Sequence, residues 1–428
     1  MVEKDVVGEN RQGVLSSDSS ATIKLDVKGP PNGGLKAWLQ ILGAFFLYFN
    51  TWGVVSSFGS YESDYEDSIL ANSGSFQIST IGSVQSFLMV FMGFIAGPIF
   101  DKGFFTYLLR LGTLLVLVGT ITQGLSTDYW QLLLSQGVCV GIGMGCLAVP
   151  AVAVPSAWFS TKLPFANGIV VSAGGFGGVV YPIMIRSLIP LIGFKYTSLS
   201  VALIVLVTLG ISNVVLQQPT APRAKRDFLD RSALTDVPYL LFVLGCVLTF
   251  LGLYTTFFYI ATYAVEANVT SESMALYLVS ILNGSSVFGR VLPNVPAITQ
   301  RLGPLNMMVV SVFSLALVVL CFNAGPNLAG LVVMVIFYGF FVGAFFTLQP
   351  TIFERLTEDK GRYGTRLGMA STVSSIGLLL GAPAAGALMR TYGFYACWAW
   401  SGVSLALGAT AMAASRGLVS RWRWGMTV

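Results

Sequence analysis

The feature that most constrains this chain is its succession of apolar runs about 20 residues long. A helix rises ~1.5 Å per residue, so each run is long enough to cross a hydrocarbon layer of about 30 Å. Twelve runs can be placed, at about 37–60, 77–100, 105–125, 131–154, 165–190, 196–217, 237–265, 274–294, 305–323, 327–350, 367–389 and 395–415. Charged residues make up only 10% of the chain, whereas a water-soluble surface takes roughly a quarter. The sequence therefore predicts an all-α membrane protein with twelve transmembrane helices. The most polar internal break, "QPTAPRAKRDFLDRSALTD" at 218–236, divides them six and six. The expected organisation is a disordered cytoplasmic tail (1–36), a six-helix bundle (37–217), a cytoplasmic linker (218–236), a second six-helix bundle (237–415) and a short cytoplasmic tail (416–428). The polar first segment lacks the pattern of a cleaved signal peptide.

The charges that remain set the orientation, because loops facing the cytoplasm are rich in Lys and Arg. With both termini inside, 20 of the 24 basic residues fall on the inner side; Arg186, Lys195 and Arg390 fall outside, and Arg290 lies within a helix. The segment "YESDYEDS", read as the first outer loop, carries acids only. Asn268-Val269-Thr270 is a glycosylation sequon on the expected outer side, which makes Asn268 a candidate acceptor. Nucleic-acid binding is not expected, because the net charge of +5 is scattered between apolar runs. The chain has no histidine, and its five cysteines show no CxxC spacing. Metal and nucleophile chemistry are therefore poorly supplied, and neither an enzyme nor a cofactor is expected.

The two halves echo each other at a constant offset of 200 residues. Gly103 meets Gly303, Gly143 meets Gly343, Pro150 meets Pro350, Gly168 meets Gly368, Gly177 meets Gly377, and Gly193-Phe194 meets Gly393-Phe394. Six helices per half make equivalent helices run in the same direction, a parallel repeat about an axis along the membrane normal. Two such bundles enclose a cavity near the midplane, and rocking one against the other opens it to alternate sides. No ATP-binding motif is present, so a gradient must drive any transport.

Within "LVSILNGSSVFGRVLP" (278–293) a permanent cation, Arg290, sits in an apolar helix. Sixteen residues from the outer end place it ~24 Å inward. An arginine at the membrane centre costs about 2.5–3.5 kcal/mol on insertion scales, so it seeks a wet cavity or a partner. One reading is a guanidinium that pairs with an acidic solute; the other is a side chain that snorkels to the inner headgroups. Asn283 and Ser286, seven and four residues earlier, share its helical face and serve either as polar contacts or as interhelical glue. The glycine sets "GVCVGIGMG" (137–145) and "SAGGFGG" (172–178) follow no strand, so they read as close, mobile helix packing and not as phosphate loops. Gln349, beside Pro350, is a further candidate polar contact.

Several stretches together resemble the major facilitator superfamily, and within it the fungal branch related to monocarboxylate transporters. They are "GGLKAWLQILGAF", "IGSVQSFLMVFMGFIAGPIFDKG", "DYWQLLLSQGVCVGIGMG", "AWFSTKLPFANGIVVSAGGFGGVVYP" and "ILNGSSVFGRVLP". The resemblance covers nearly all of 33–415. It implies that the first and seventh helices line the cavity, with Tyr48, Asn50, Tyr254 and Phe258 as pocket candidates. It also implies that Asp101 and Lys102 of "GPIFDKG" act as a gate, with Asp101 meeting the positive start of the eleventh helix near Arg366. The sequence departs from the animal carriers. "NTWGVVSSFG" has no lysine, and Ser286 stands one turn before Arg290 where those carriers have an aspartate, so strict proton–lactate coupling is not expected. The resulting expectation is a monomeric secondary transporter of the plasma membrane that moves a small weakly acidic or amphipathic organic solute by alternating access, with protons as a candidate coupling ion. Efflux of a secondary metabolite leads. Uptake of a monocarboxylate or vitamin, and a non-transporting nutrient sensor, are the alternatives.

Overall fold

The computed structural model describes residues 32–421 apart from 72, 160–161, 218–228, 276, 326 and 360–361. Most of the expected N-terminal tail, the basic part of the linker (Arg223, Lys225, Arg226) and the last seven residues of the expected C-terminal tail lie outside the described residues. Among the described residues every regular element is helical. A bilayer offers the backbone no hydrogen-bond partners, and a helix satisfies its own.

Ten helical segments are long and apolar enough to cross a membrane. They are α1 (Leu35–Ile69), α2 (Ser75–Asp101), α3 (Phe105–Gly124), α4 (Tyr129–Trp158), Leu163–Val215, α7 (Val237–Glu266), α9 (Pro304–Cys321), α10 (Leu328–Arg355), α11 (Tyr363–Tyr392) and α12 (Phe394–Val419). The segment Leu163–Val215 is two helices, α5 (163–192) and α6 (194–215), because Gly193 has φ 76° and breaks the helical path. Tyr277–Val291, introduced by the short turn Glu272–Ala275, supplies α8 and so the twelfth crossing. An even number of crossings puts Leu35, where α1 begins, and Val419, where α12 ends, on one face, here termed the terminal face; the opposite face is termed distal.

The repeat is visible in the backbone. Gly103 (φ 89°) and Gly303 (φ 75°) make the tight turns that lead into α3 and α9; Gly193 (φ 76°) and Gly393 (φ 78°) make those after α5 and α11. Each pair is 200 residues apart, and each needs a left-handed conformation that costs glycine nothing. Other boundaries are set by caps. Asp236 accepts the Tyr239 amide (3.2 Å) at the start of α7, and Asn327 accepts the Gly330 amide (2.9 Å) at the start of α10.

One boundary departs from the sequence reading. "YESDYEDS" is not a loop: α1 runs on through it to Ile69, ending in a wide π-turn from Tyr65. Tyr61 and Tyr65, four residues apart, lie on one helical face and are buried; their rings stack at 6.1 Å and both meet Phe194. The Tyr65 hydroxyl donates to Gln136 Oε1 on α4 (2.6 Å) and accepts from Gln123 Nε2 on α3 (3.0 Å). The ring area removed from water and these two bonds outweigh the polar letters that signalled a loop.

Helices α1, α5 and α6 pack together in the first half, as α7, α11 and α12 do in the second. Two seams join the halves: α2 lies along α11, and α5 along α8. The second seam is made by "SAGGFGG". A Cβ on Gly175 would lie 2.7 Å from Val287 Cγ2 and 3.0 Å from the Asn283 carbonyl, and one on Gly178 would strike the Asn283 carboxamide. Small residues here let the two backbones approach.

Candidate functional site

The face of α8 that carries Asn283, Ser286 and Arg290 is turned to this seam, and all three residues are buried. The Arg290 side chain does not run to the membrane surface. It is 2% exposed and crosses to the other half, where Nη1 donates to the Val171 carbonyl of α5 at 2.8 Å. Gly174 makes room: a Cβ there would lie 2.5 Å from Nη1, 2.9 Å from Trp52 Cβ and 3.2 Å from Tyr48 Cδ1. The guanidinium carbon stands 5.5 Å from the Phe346 ring centroid, within cation–π range. Phe346 of α10 meets Trp52 of α1 at 4.8 Å, and Trp52 stacks on Tyr48 at 6.2 Å. Tyr48 and Tyr254 of α7 are the electrostatic neighbours of the guanidinium. The cluster thus draws on α1, α5, α7, α8 and α10, from both halves.

Its polar balance is incomplete. Among the described residues no carboxylate forms an ion pair with Arg290, and its Nε has no hydrogen-bond partner. The Tyr254 hydroxyl and Asn283 Oδ1 are also buried without a partner. Burying a charge this way is costly, and one carbonyl bond with one aromatic face offsets only part of the cost. An oxyanion would complete the site, because the planar fork of arginine matches a carboxylate with two parallel bonds. The aromatic walls suit an apolar body attached to that anion.

The other residues singled out from sequence fall in different places. Ser286 is bonded within α8, its hydroxyl donating to the Asn283 carbonyl at 2.7 Å. Gln349 lies three residues beyond Phe346 on α10, half-buried, with Nε2 unpartnered. Asn50 is not brought to the cluster. Its Nδ2 donates to the Phe46 carbonyl (2.7 Å) and Thr208 Oγ1 (2.8 Å), and its Oδ1 accepts from Tyr181 (2.7 Å), which ties α1 to α5 and α6. Phe258 faces the distal side, 5.0 Å from Phe58 and 6.0 Å from Tyr254. Asn268 is exposed just beyond α7 with φ 54°.

At the terminal face Asp101 is the last residue of α2, and Lys102 follows it, exposed. Arg366 is held by the end of the linker and the second half: Nε meets Asp230 Oδ2 (2.9 Å), and Nη1 meets Asp236 Oδ2 (2.6 Å) and the Leu356 carbonyl (3.2 Å). Arg362 adds a 3.0 Å contact to Asp230. Burial alone would raise the Asp230 carboxyl. The hydrogen bonds from Arg366 and Ser232, with the Arg366 charge, outweigh burial and bring it down to about 2. The cluster ties the end of the linker to the start of α11. Trp52, Phe346, Val171, Asp230 and Asp236 were not singled out from sequence, and Gly174 figured only within the "SAGGFGG" packing set. Trp52 and Phe346 stand among many other aromatics, and a backbone carbonyl leaves no mark in a sequence.

Twelve helices, a parallel repeat and a buried cation between the halves define a multi-pass membrane carrier. The chain belongs to the Major Facilitator Superfamily, whose family model matches residues 41–328 and 293–424. It is accordingly a transporter and not an enzyme. It is 40% identical over 376 residues to the MFS-type transporter dbaD of Emericella nidulans, covering 87% of this chain and 84% of that one. It is 32% identical over 378 residues to the agnestins efflux protein AgnL12 of Paecilomyces divaricatus, covering 87% and 86%. The nucleoside transporter NupG shares the fold with a TM-score of 0.67 at 16% identity, over 89% of this chain and all of that one.

Proposed function

We propose that this carrier exports a small, weakly acidic and partly apolar secondary metabolite, with Arg290 as the contact for its anionic group. The observation that carries the reading is the buried guanidinium, with no carboxylate partner among the described residues, walled by Tyr48, Trp52, Tyr254 and Phe346. The similarity to the agnestins efflux protein supports export. In this reading 37–217 and 237–415 rock as two bundles about the α2/α11 and α5/α8 seams, joined by 218–236. Both termini face the cytoplasm, the distal face and Asn268 face outward, and the protein acts as a monomer in the plasma membrane. Asp101 and Lys102 belong to the gate on the terminal face, and Arg366 to its second-half side. Asn283 and Gln349 supply secondary polar contacts.

The experiment is flux into and out of proteoliposomes with a panel of labelled aromatic and aliphatic acids, each beside its neutral methyl ester. The reading expects the acids to move and the esters to compete weakly. Equal transport of acids and esters would refute an anion site.

A further inference from the structure

Among the described residues Glu62, like Arg290, is a charged side chain buried without an ion-pair partner. It lies in the distal part of α1, is 4% exposed, and neither carboxylate oxygen has a hydrogen-bond partner. Its surroundings come from both halves. On its own helix the neighbouring charge is Glu66, one turn on, which repels it. Across the interface its electrostatic neighbour is Tyr259 of α7. That hydroxyl donates to the Ala382 carbonyl of α11 (3.2 Å) and packs against Gly386. The neighbouring Gly59 and Phe58 rest on Phe257 and Phe258 of α7, so this stretch forms the distal closure between the halves.

No basic residue on the packed elements pairs with Glu62 among the described residues. Lys195 of α6 stands over the Tyr196 ring, Arg390 of α11 lies against Gly74 at the start of α2, and Arg186 is on α5; none forms an ion pair with Glu62. An ionised carboxylate is an acceptor only. Enclosed with no donor, no cation and a like charge one turn away, it would oppose the closed arrangement, whereas the carboxylic acid would not. Membrane carriers keep buried ionisable groups chiefly where ions or protons pass.

We propose that Glu62 is a proton-binding site: closing the distal face requires a proton on this carboxyl, and opening that face to water releases it. The step is a simple exchange in which one proton moves from distal water to a carboxylate oxygen on closure and returns on opening. A carrier built this way couples its distal gate to the proton gradient. The site deepens the transport reading but rests only on the alternation of the two halves, not on the acid-binding role of Arg290.

The test uses the full chain in lipid vesicles and needs no substrate. Infrared difference spectra between the wild type and Glu62→Gln at neutral pH should contain the carbonyl band of a protonated carboxylic acid. That band should persist in Glu62→Asp and vanish from the wild type in alkaline buffer. In parallel, paired spin labels at the exposed positions Ser68 and Asn268 report the distal gap. The wild type should shift to longer distances as pH rises, and Glu62→Gln should keep the short distance throughout. An unchanged band in Glu62→Gln, a gap that ignores pH in the wild type, or a pH response that survives Glu62→Gln would each overturn the proposal. The Arg290 reading would stand in all three cases.

Discussion

Gly174 offers a quantitative check on the cluster around Arg290. In Gly174→Ala the added methyl would meet Nη1 at 2.5 Å and Trp52 Cβ at 2.9 Å. Ordinary contact begins near ~3.5 Å, so the guanidinium must retreat by about 1 Å. The 2.8 Å bond to the Val171 carbonyl then opens beyond hydrogen-bonding range. A charge-assisted bond is worth about 1.5–3 kcal/mol, and overpacking against the less mobile Trp52 adds about 1 kcal/mol. The single variant should therefore lose about 3 kcal/mol. In an Arg290→Ala background the methyl meets only Trp52 and Tyr48, so the same change should cost about 1 kcal/mol. A double-mutant cycle on purified protein in detergent, read by denaturant unfolding, isolates the difference: the expected coupling is about 2 kcal/mol. Strictly additive costs would refute the contact between the two halves at this point.

Other outcomes follow from the same structure. Asp230→Asn should reduce stability at neutral pH by about 1–2 kcal/mol: a fall from 3.8 to about 2 is worth ~2.5 kcal/mol at most, and water beside the linker screens part of it. Because this carboxyl is depressed in the fold, the penalty should be full above pH 3.8 and disappear as pH falls towards 2, as a pH series of melting curves would register. Asn50→Ala breaks bonds to Phe46, Thr208 and Tyr181; it should destabilise the protein by about 2 kcal/mol and leave the relative rates for different acids unchanged in flux assays. Phe346→Leu removes the aromatic face under the guanidinium; it should weaken binding of acids by roughly 5- to 10-fold, about 1 kcal/mol, as titration with a transported acid would measure.

The helical layer was legible because hydropathy alone decides it, and a 20-residue apolar run has one stable form in lipid. The repeat was legible because its turns need glycine, and glycine leaves a letter at 103, 193, 303 and 393. Arg290 announced itself as a lone charge, but its surroundings did not. Val171, Trp52 and Phe346 lie more than fifty residues away on other helices, and no local pattern encodes a contact between halves. Asn50 was a pocket candidate because the resemblance has the first helix line the cavity, yet three bonds inside the first half occupy its carboxamide. The acidic stretch at the end of α1 misled for the converse reason. Its tyrosines at a four-residue spacing bury one face, which carries Glu62 into the interface as well.

The central claim is that Arg290 meets the anionic group of the transported solute. The direct measurement is the initial rate of labelled-acid flux in proteoliposomes for the wild type, Arg290→Lys and Arg290→Ala, with the matching ester as control. Loss of a bidentate pair worth about 2–3 kcal/mol predicts a fall of roughly 30- to 150-fold for the acid in Arg290→Ala. Arg290→Lys should retain part of the rate, and the ester should be little affected. Undiminished acid flux in Arg290→Ala would contradict the account.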